Sequence, residues 1–245
     1  LSLVGSEMCI RDSTHYVADC EVLHPLPKDC SPEAACLMAN METSVNLVQD
    51  AAPIFGENAV VLGQGIVGLL TAALLAEFPL GNLVTADRYP IRQQASLALG
   101  AYASFDPGEP DFTDKVRTVL PQGADLTIEL SGSPLALNDA ITLTGFGGRI
   151  VIGSWYGERK AEIELGGKFH RSRIRLIASQ VSTIAGALSD RWDKRRRLET
   201  TWAALKRVKP ERLITHRFSF QDAASAYKLI DKSPQESIQV VLVYD

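Results

Sequence analysis

An α/β fold built on a doubly wound parallel sheet is the class this sequence predicts, and three observations predict it. Strand and helix patterns alternate from residue 58 to about residue 179. The first apolar strand, Ala59 to Leu62, runs into the turn Gly63-Gln64-Gly65-Ile66-Val67-Gly68 and then into an apolar helix that continues to Ala76. A second strand, Asn82 to Ala86, ends on Asp87, about 20 residues past the glycines. Strands this uniformly apolar are covered on both faces, and repeated βαβ units supply that cover through right-handed crossovers.

The remaining elements follow in order. A helix over Ile91 to Leu99 leads to Gly100 and a short strand near Ala101 to Ser104, followed by a polar loop with Pro107, Gly108 and Pro110. The pattern then predicts a helix over Phe112 to Leu120, a strand over Ala124 to Glu129, a helix over Pro134 to Leu143, a strand over Arg149 to Gly153 and another over Ile174 to Ser179. After Ser179 the pattern changes to a polar helix (Arg191 to Val208), a strand (Leu213 to Phe220), a helix (Asp222 to Ile230) and a strand (Ile238 to Tyr244). Residues 14–37, with Pro25, Pro27 and Pro32, form an equally non-repetitive lead-in. Both ends read as remnants of a second domain outside the doubly wound sheet.

The glycine turn carries the chemistry. Gly63 lets the chain reverse, Gly65 lets a pyrophosphate approach the backbone, and Gly68 lets the helix pack on the strand, so that amides at Gln64, Ile66 and Val67 face the phosphates. Asp87 is placed to accept from both ribose hydroxyls of an adenosine, although an Asp at a strand end also caps helices. Its charge would repel a 2′-phosphate, which favours NAD. Arg88 and Arg92 could instead hold such a phosphate, so NADP stays open, and both arginines also suit a solvated helix start. Ligands on such sheets sit past the carboxyl ends of the strands, which makes Ser131 and Gly153 candidates to lie against ribose or nicotinamide; short loops favour Ser and Gly without any ligand.

Length, charge and cysteines set the bounds. The chain has 245 residues, 46% of them hydrophobic, enough for one large domain or one domain with pieces of another. A net charge of -4 gives no sign of nucleic acid, and the basic run Arg191 to Arg197 is interleaved with Trp192 and Asp193 as on a solvated helix face. The longest apolar stretch, Ile66 to Ala76, is far short of the roughly 20 residues of a membrane span, so the expectation is a cytoplasmic protein. Cys9, Cys20, Cys30 and Cys36 match neither a zinc knuckle nor a disulfide framework. Residues 1–13, with Glu7 to Ser13, resemble a translated sequencing adapter and are taken as a non-native leader.

Together, the approach Pro27 to Ala35, Gly56 to Val61, the glycine turn, Asp87, Leu99 to Ala101, Asp125 to Gly132, Gly148 to Gly153 and Ile214 to Phe220 with Ala223 to Tyr227 resemble the medium-chain dehydrogenase/reductase superfamily. The likeness is to zinc-type alcohol and polyol dehydrogenases. It implies a Rossmann cofactor domain over residues 41–180, a piece of the β-rich catalytic domain at 14–40, and a return to that domain at 181–245. It also implies hydride transfer between an alcohol and a ketone or aldehyde in the full-length enzyme, small-molecule substrates, and a homo-oligomer formed through the sheet edge. Zinc in the full-length enzyme is left open and none is expected on this chain: where the family places its last ligand stand Met38 and Ala39, and Cys36 or Glu42 enter only by a register shift. Thr43 and Asn46 lie where the family's nicotinamide-side helix does, and His170 to Arg173 precede the last sheet strand; capping of the helix is the preferred reading for the first pair and a loop of solvated charges for the second.

Three rivals exist. Tyr156 and Lys160 match the Tyr-x-x-x-Lys pair of short-chain dehydrogenases, but Gly157 and the place after a strand predict a turn where a helix is needed. A methyltransferase shares the sheet and the acid, but its cofactor has no pyrophosphate for the glycine turn. A non-catalytic NAD-binding module, or an inert fragment, remains the alternative to an enzyme, and no catalytic residue is assigned.

Overall fold

The structure, a computed structural model, describes residues 25–244. The leader 1–13, Cys9, Cys20 and residues 14–24 of the lead-in lie outside the described residues. Six parallel strands form the main sheet: β1 (Ala59–Leu62), β2 (Leu83–Ala86), β3 (Ala103–Phe105), β4 (Ala124–Glu129), β5 (Thr144–Ile152) and β6 (Arg175–Ala178), in the order β3-β2-β1-β4-β5-β6. That order reverses between β1 and β4, so the chain winds outward in both directions from this pair.

Helices cover both faces. α1 (Pro32–Ala35) is a single turn capped by Ser31, whose hydroxyl accepts from the Ala34 amide at 3.1 Å. α2 (Met38–Ala51) precedes β1, α3 (Ile66–Leu75) follows it, and α4 (Pro90–Ala98), α5 (Phe112–Val119) and α6 (Ala136–Leu143) are the later crossovers. Alternation along β1 sorts the core into two layers: Ala59 and Val61 pack with α2 and α3, whereas Val60 and Leu62 pack with α5 and α6. After β6, α7 (Lys194–Val208) lies against α2, and β7 (Ile214–Ser219), α8 (Ala223–Lys232) and β8 (Gln239–Val243) form a separate parallel two-stranded unit. The 40/41 division expected from sequence falls within α2, and the 180/181 division falls just after β6.

Two elements depart from the sequence expectation. β5 begins at Thr144 rather than Arg149, because Gly145, Gly147 and Gly148 read as a loop while the small size of Gly145 and Gly148 admits the neighbouring chain: a Cβ on Gly145 would lie 2.6 Å from the Gln122 carbonyl oxygen. The basic run that opens α7 is a correction of substance. Asp193 caps the helix, and Arg197, expected on a solvated face, is only 1% exposed. Its guanidinium donates to Glu42 Oε1 (3.1 Å), Asn46 Oδ1 (2.8 Å) and the Thr183 carbonyl (2.9 Å), and also to the Val181 carbonyl. Arg197 shares its helix face with the buried Thr201, Ala204, Leu205 and Val208, so it belongs to the stripe that docks on α2.

A second buried guanidinium closes the other end of α2. Arg149 donates to the Ala51 carbonyl at 2.6 Å and the Ala52 carbonyl at 3.1 Å, satisfying helix-end acceptors that have no intrahelical partner. It also grips both oxygens of Glu57 at 2.7 Å each. The bidentate pair holds the Glu57 carboxyl below its usual range, with the Arg149 hydrogen bonds as the main cause.

Replacing Arg149→Met leaves two helix-end carbonyls without their donor and Glu57 with only the Ile54 amide, and the expected loss is about 3–5 kcal/mol in urea unfolding. Because the folded chain binds the Glu57 proton less readily than the unfolded chain, the ion pair's contribution is full above the unfolded carboxylate pKa of about 4.3 and is lost as pH falls through the lowered folded value. Urea midpoints of the parent and Arg149→Met should therefore be well separated at pH 7 and draw together under acid conditions.

Candidate functional site

A cleft of about 550 Å³ opens at the carboxyl ends of β1, β2 and β4, within the size range of small-molecule sites. Gly63 and Gly65 form its floor, with Asp87, Arg88, Tyr89 and Arg92 on one side and Leu130, Ser131, Ser133 and Asp139 on the other. It lies where the strand order reverses, the position at which open α/β sheets take ligands.

The three glycines differ in what demands them. Gly63 has φ +88°, and a Cβ there would lie 2.6 Å from the Leu130 carbonyl and the Ser131 Cα. Gly68 sits so close under the turn that a Cβ would lie 1.9 Å from the Gly63 carbonyl oxygen. Gly65 is different: its φ of -64° and ψ of -179° suit any residue, and a Cβ would meet nothing within 4 Å. Its missing side chain leaves open space at the start of α3, where the first amides have no carbonyl of their own helix to meet.

Asp87, 8% exposed, is fixed before any ligand arrives. Its Oδ2 accepts from the Gln64 amide at 2.7 Å and its Oδ1 from the Tyr89 amide at 2.9 Å, which ties the end of β2 to the glycine turn. Arg92 is drawn the other way: it donates to the Ser237 carbonyl at 3.2 Å and the Pro234 carbonyl at 3.4 Å, lies 4.8 Å over the Tyr89 ring, and stands 3.9 Å from Asp87. Arg88 is exposed at the cleft rim.

The other expected positions divide. Gln64 is wholly buried, its amide nitrogen donating to the Val61 and Gly63 carbonyls, and Ile66 and Val67 pack against the core, so these three offer backbone rather than side chains. Ser131 lines the cleft, whereas Gly153 makes room for neighbours, since a Cβ would lie 2.5 Å from Leu47 and 2.6 Å from Leu130. Thr43 bonds back to the Ala39 carbonyl at 3.0 Å, and Asn46 bonds Asp50 and Ser179; neither lines the cleft. His170 and Arg171 are exposed ahead of β6. Tyr156 and Lys160 lie outside any helix, as expected, and the Tyr156 hydroxyl meets Glu129.

Several participants were not anticipated. Leu135, Ala136, Asp139, Pro107 and Pro234 complete the walls, and burial pushes the Asp139 carboxyl up. Glu129 lies just under the cleft, fully buried. The available signal was a carboxylate at the carboxyl end of β4, where such sheets take their ligands. Among the described residues no group of three or more His, Cys, Asp or Glu side chains converges as metal ligands, and Cys30 and Cys36 are free thiols.

The comparisons with known proteins agree with this geometry. The family model for zinc-binding dehydrogenases matches residues 67–197. Sorbitol dehydrogenase 1 of Saccharomyces cerevisiae is 27% identical over 221 residues, covering 87% of this chain and 58% of that protein. L-Galactonate-5-dehydrogenase of Escherichia coli is 27% identical over 226 residues, covering 91% of this chain and 63% of that protein. The chain thus spans about three fifths of these relatives' length. Among solved structures, L-idonate 5-dehydrogenase of Escherichia coli superposes with a TM-score of 0.73 at 21% identity, covering 89% of this chain and 59% of that one. An Escherichia coli CFT073 alcohol dehydrogenase in complex with NADH gives a TM-score of 0.75 at 21% identity, covering 89% and 61%. With a family model matching more than half of its residues on this sheet, the chain belongs to the zinc-binding dehydrogenase family, among the zinc-type medium-chain dehydrogenases.

Proposed function

We propose that the cleft binds NAD, and that the chain is the cofactor-binding part of an alcohol or polyol dehydrogenase that interconverts a small-molecule alcohol and its ketone or aldehyde. The observation that carries this is Gly65: neither its backbone nor its surroundings call for glycine, and its open face lies beside the unpaired amides of α3. A diphosphate laid there meets the amides of Ile66, Val67 and Gly68 at the positive end of the helix. Asp87, already oriented by two backbone amides, takes the ribose hydroxyls. NAD is preferred over NADP because Asp87 repels a 2′-phosphate while Arg92 is held by the Ser237 and Pro234 carbonyls, leaving only Arg88 free at the rim.

When bound, the nicotinamide supplies a hydride acceptor or donor; the residues of this chain hold and orient it. The described residues offer zinc no ligand set, so no step is routed through a metal. Nor do they hold an alcohol carbon against the ring, and turnover is assigned to the full-length enzyme. Two of the relatives named above are a sorbitol dehydrogenase and an L-galactonate-5-dehydrogenase, which supports a polyhydroxy substrate class for that enzyme. A cytoplasmic location and self-association through β6, paired on one side only among the described residues, complete the proposal. No helix among those residues is long and apolar enough to cross a membrane.

Titration calorimetry tests the cofactor assignment. NAD should bind the parent chain measurably more tightly than NADP. Gly65→Ala should leave the thermal midpoint unchanged and raise the NAD dissociation constant about tenfold or more, the ~1.4 kcal/mol or greater expected for a lost bond to a charged group. Gly68→Ala, forced against the Gly63 carbonyl, should instead lower the midpoint. Equal NAD binding by the parent and Gly65→Ala would count against the diphosphate position.

A further inference from the structure

Glu129 is the last residue of β4 and is 0% exposed, yet every hydrogen bond of its carboxylate leads to the cleft or to the loop beside it. Oε1 accepts from the Ser131 amide at 2.7 Å and the Ser131 hydroxyl at 2.5 Å, and Oε2 accepts from the Tyr156 hydroxyl at 2.5 Å. Ser131 is on the cleft wall, and its hydroxyl in turn accepts from the Ser133 amide at 3.1 Å. Tyr156 belongs to the loop after β5. The two loops are joined again where Ser154 Oγ accepts from the Gly132 amide at 2.9 Å and Arg159 donates to the Gly132 carbonyl at 2.9 Å.

Sheet order gives this cluster its place. β1 has β2 on one side and β4 on the other. A dinucleotide with its adenosine at Asp87 and its diphosphate at Gly65 must extend its other half over the ends of β4 and β5, which is where these loops lie. We infer that Glu129 is a positioning residue, which shapes the part of the cleft that receives the nicotinamide half of the cofactor by aiming Ser131 and tethering the Tyr156 loop. This rests on the cofactor reading above.

An apolar side chain of similar size would fill the same space at lower desolvation cost, so what the carboxylate adds is the direction it imposes on three donors. Burial, with Glu129 alongside, pushes the Tyr156 phenol above its ordinary range, which keeps its hydroxyl a donor to that carboxylate. A wall fixed in advance lowers the ordering cost of binding.

Calorimetric titration of the full chain with NAD and, separately, with ADP provides the test, because ADP reaches only the Asp87 and Gly65 half. Tyr156→Phe and Glu129→Leu should raise the NAD dissociation constant about tenfold while leaving that of ADP within about twofold. Glu129→Gln, whose oxygen can still take the Ser131 donors while its amide donates to Tyr156, should bind NAD nearly as the parent does. If Glu129→Leu does not fold, Tyr156→Phe, which removes one oxygen from a half-buried ring, decides alone. Parallel weakening of NAD and ADP, or weakening of neither, would overturn the assignment of Glu129. Failure of the parent to bind either ligand would instead overturn the cofactor reading on which it rests.

Discussion

The contact between Gly63 and Gly68 is the constraint from which the rest of the site follows. Only without a Cβ at position 68 can α3 start directly above the carbonyl of Gly63, at the end of β1. That closeness turns the first helical amides toward the cleft instead of toward solvent. It also brings the Gln64 amide to Asp87, so the floor and the Asp87 wall of the cleft are joined by one hydrogen bond of 2.7 Å. With the turn and the acid fixed together, the site is largely preformed, and little ordering remains for a ligand to impose.

Three guanidinium groups then hold the surrounding elements to this centre. Arg149 closes the end of α2 onto Glu57, Arg197 docks α7 onto α2, and Arg92 fastens the segment at Pro234 to Ser237 beside the cleft. Each donates to at least two backbone carbonyls, a use that suits the fixed fork of arginine better than the single ammonium of lysine. The consequence for binding is indirect but specific. Arg92, engaged in this way, lines the cleft 3.9 Å from Asp87 with its position set by the protein itself.

How much of this could be read from sequence depended on how far apart the interacting residues are. β1, the glycine turn, α3, β2 and Asp87 form one continuous stretch in which each residue's neighbour is local, and they lie as expected. Gly65 and Ser131 reach the cleft, whereas Gly153 is occupied by packing against Leu47 and Leu130, a long-range contact that no loop preference reveals. Arg197 was misassigned because a run of charge was weighed as composition. Its spacing to Thr201, Ala204, Leu205 and Val208 places it on the buried stripe, and that signal was present. Glu129 and Tyr156 are 27 residues apart, and the hydroxyl that pairs them was legible only as a coincidental motif.

Amide chemical shifts of the isotopically labelled chain, recorded as NAD is added, test the central claim most directly. The account predicts saturable shifts concentrated at Gln64, Gly65, Ile66, Val67 and Gly68, with a matching change at Asp87 and little response at β7 and β8. Shifts that saturate elsewhere on the surface while the glycine turn stays silent would contradict it.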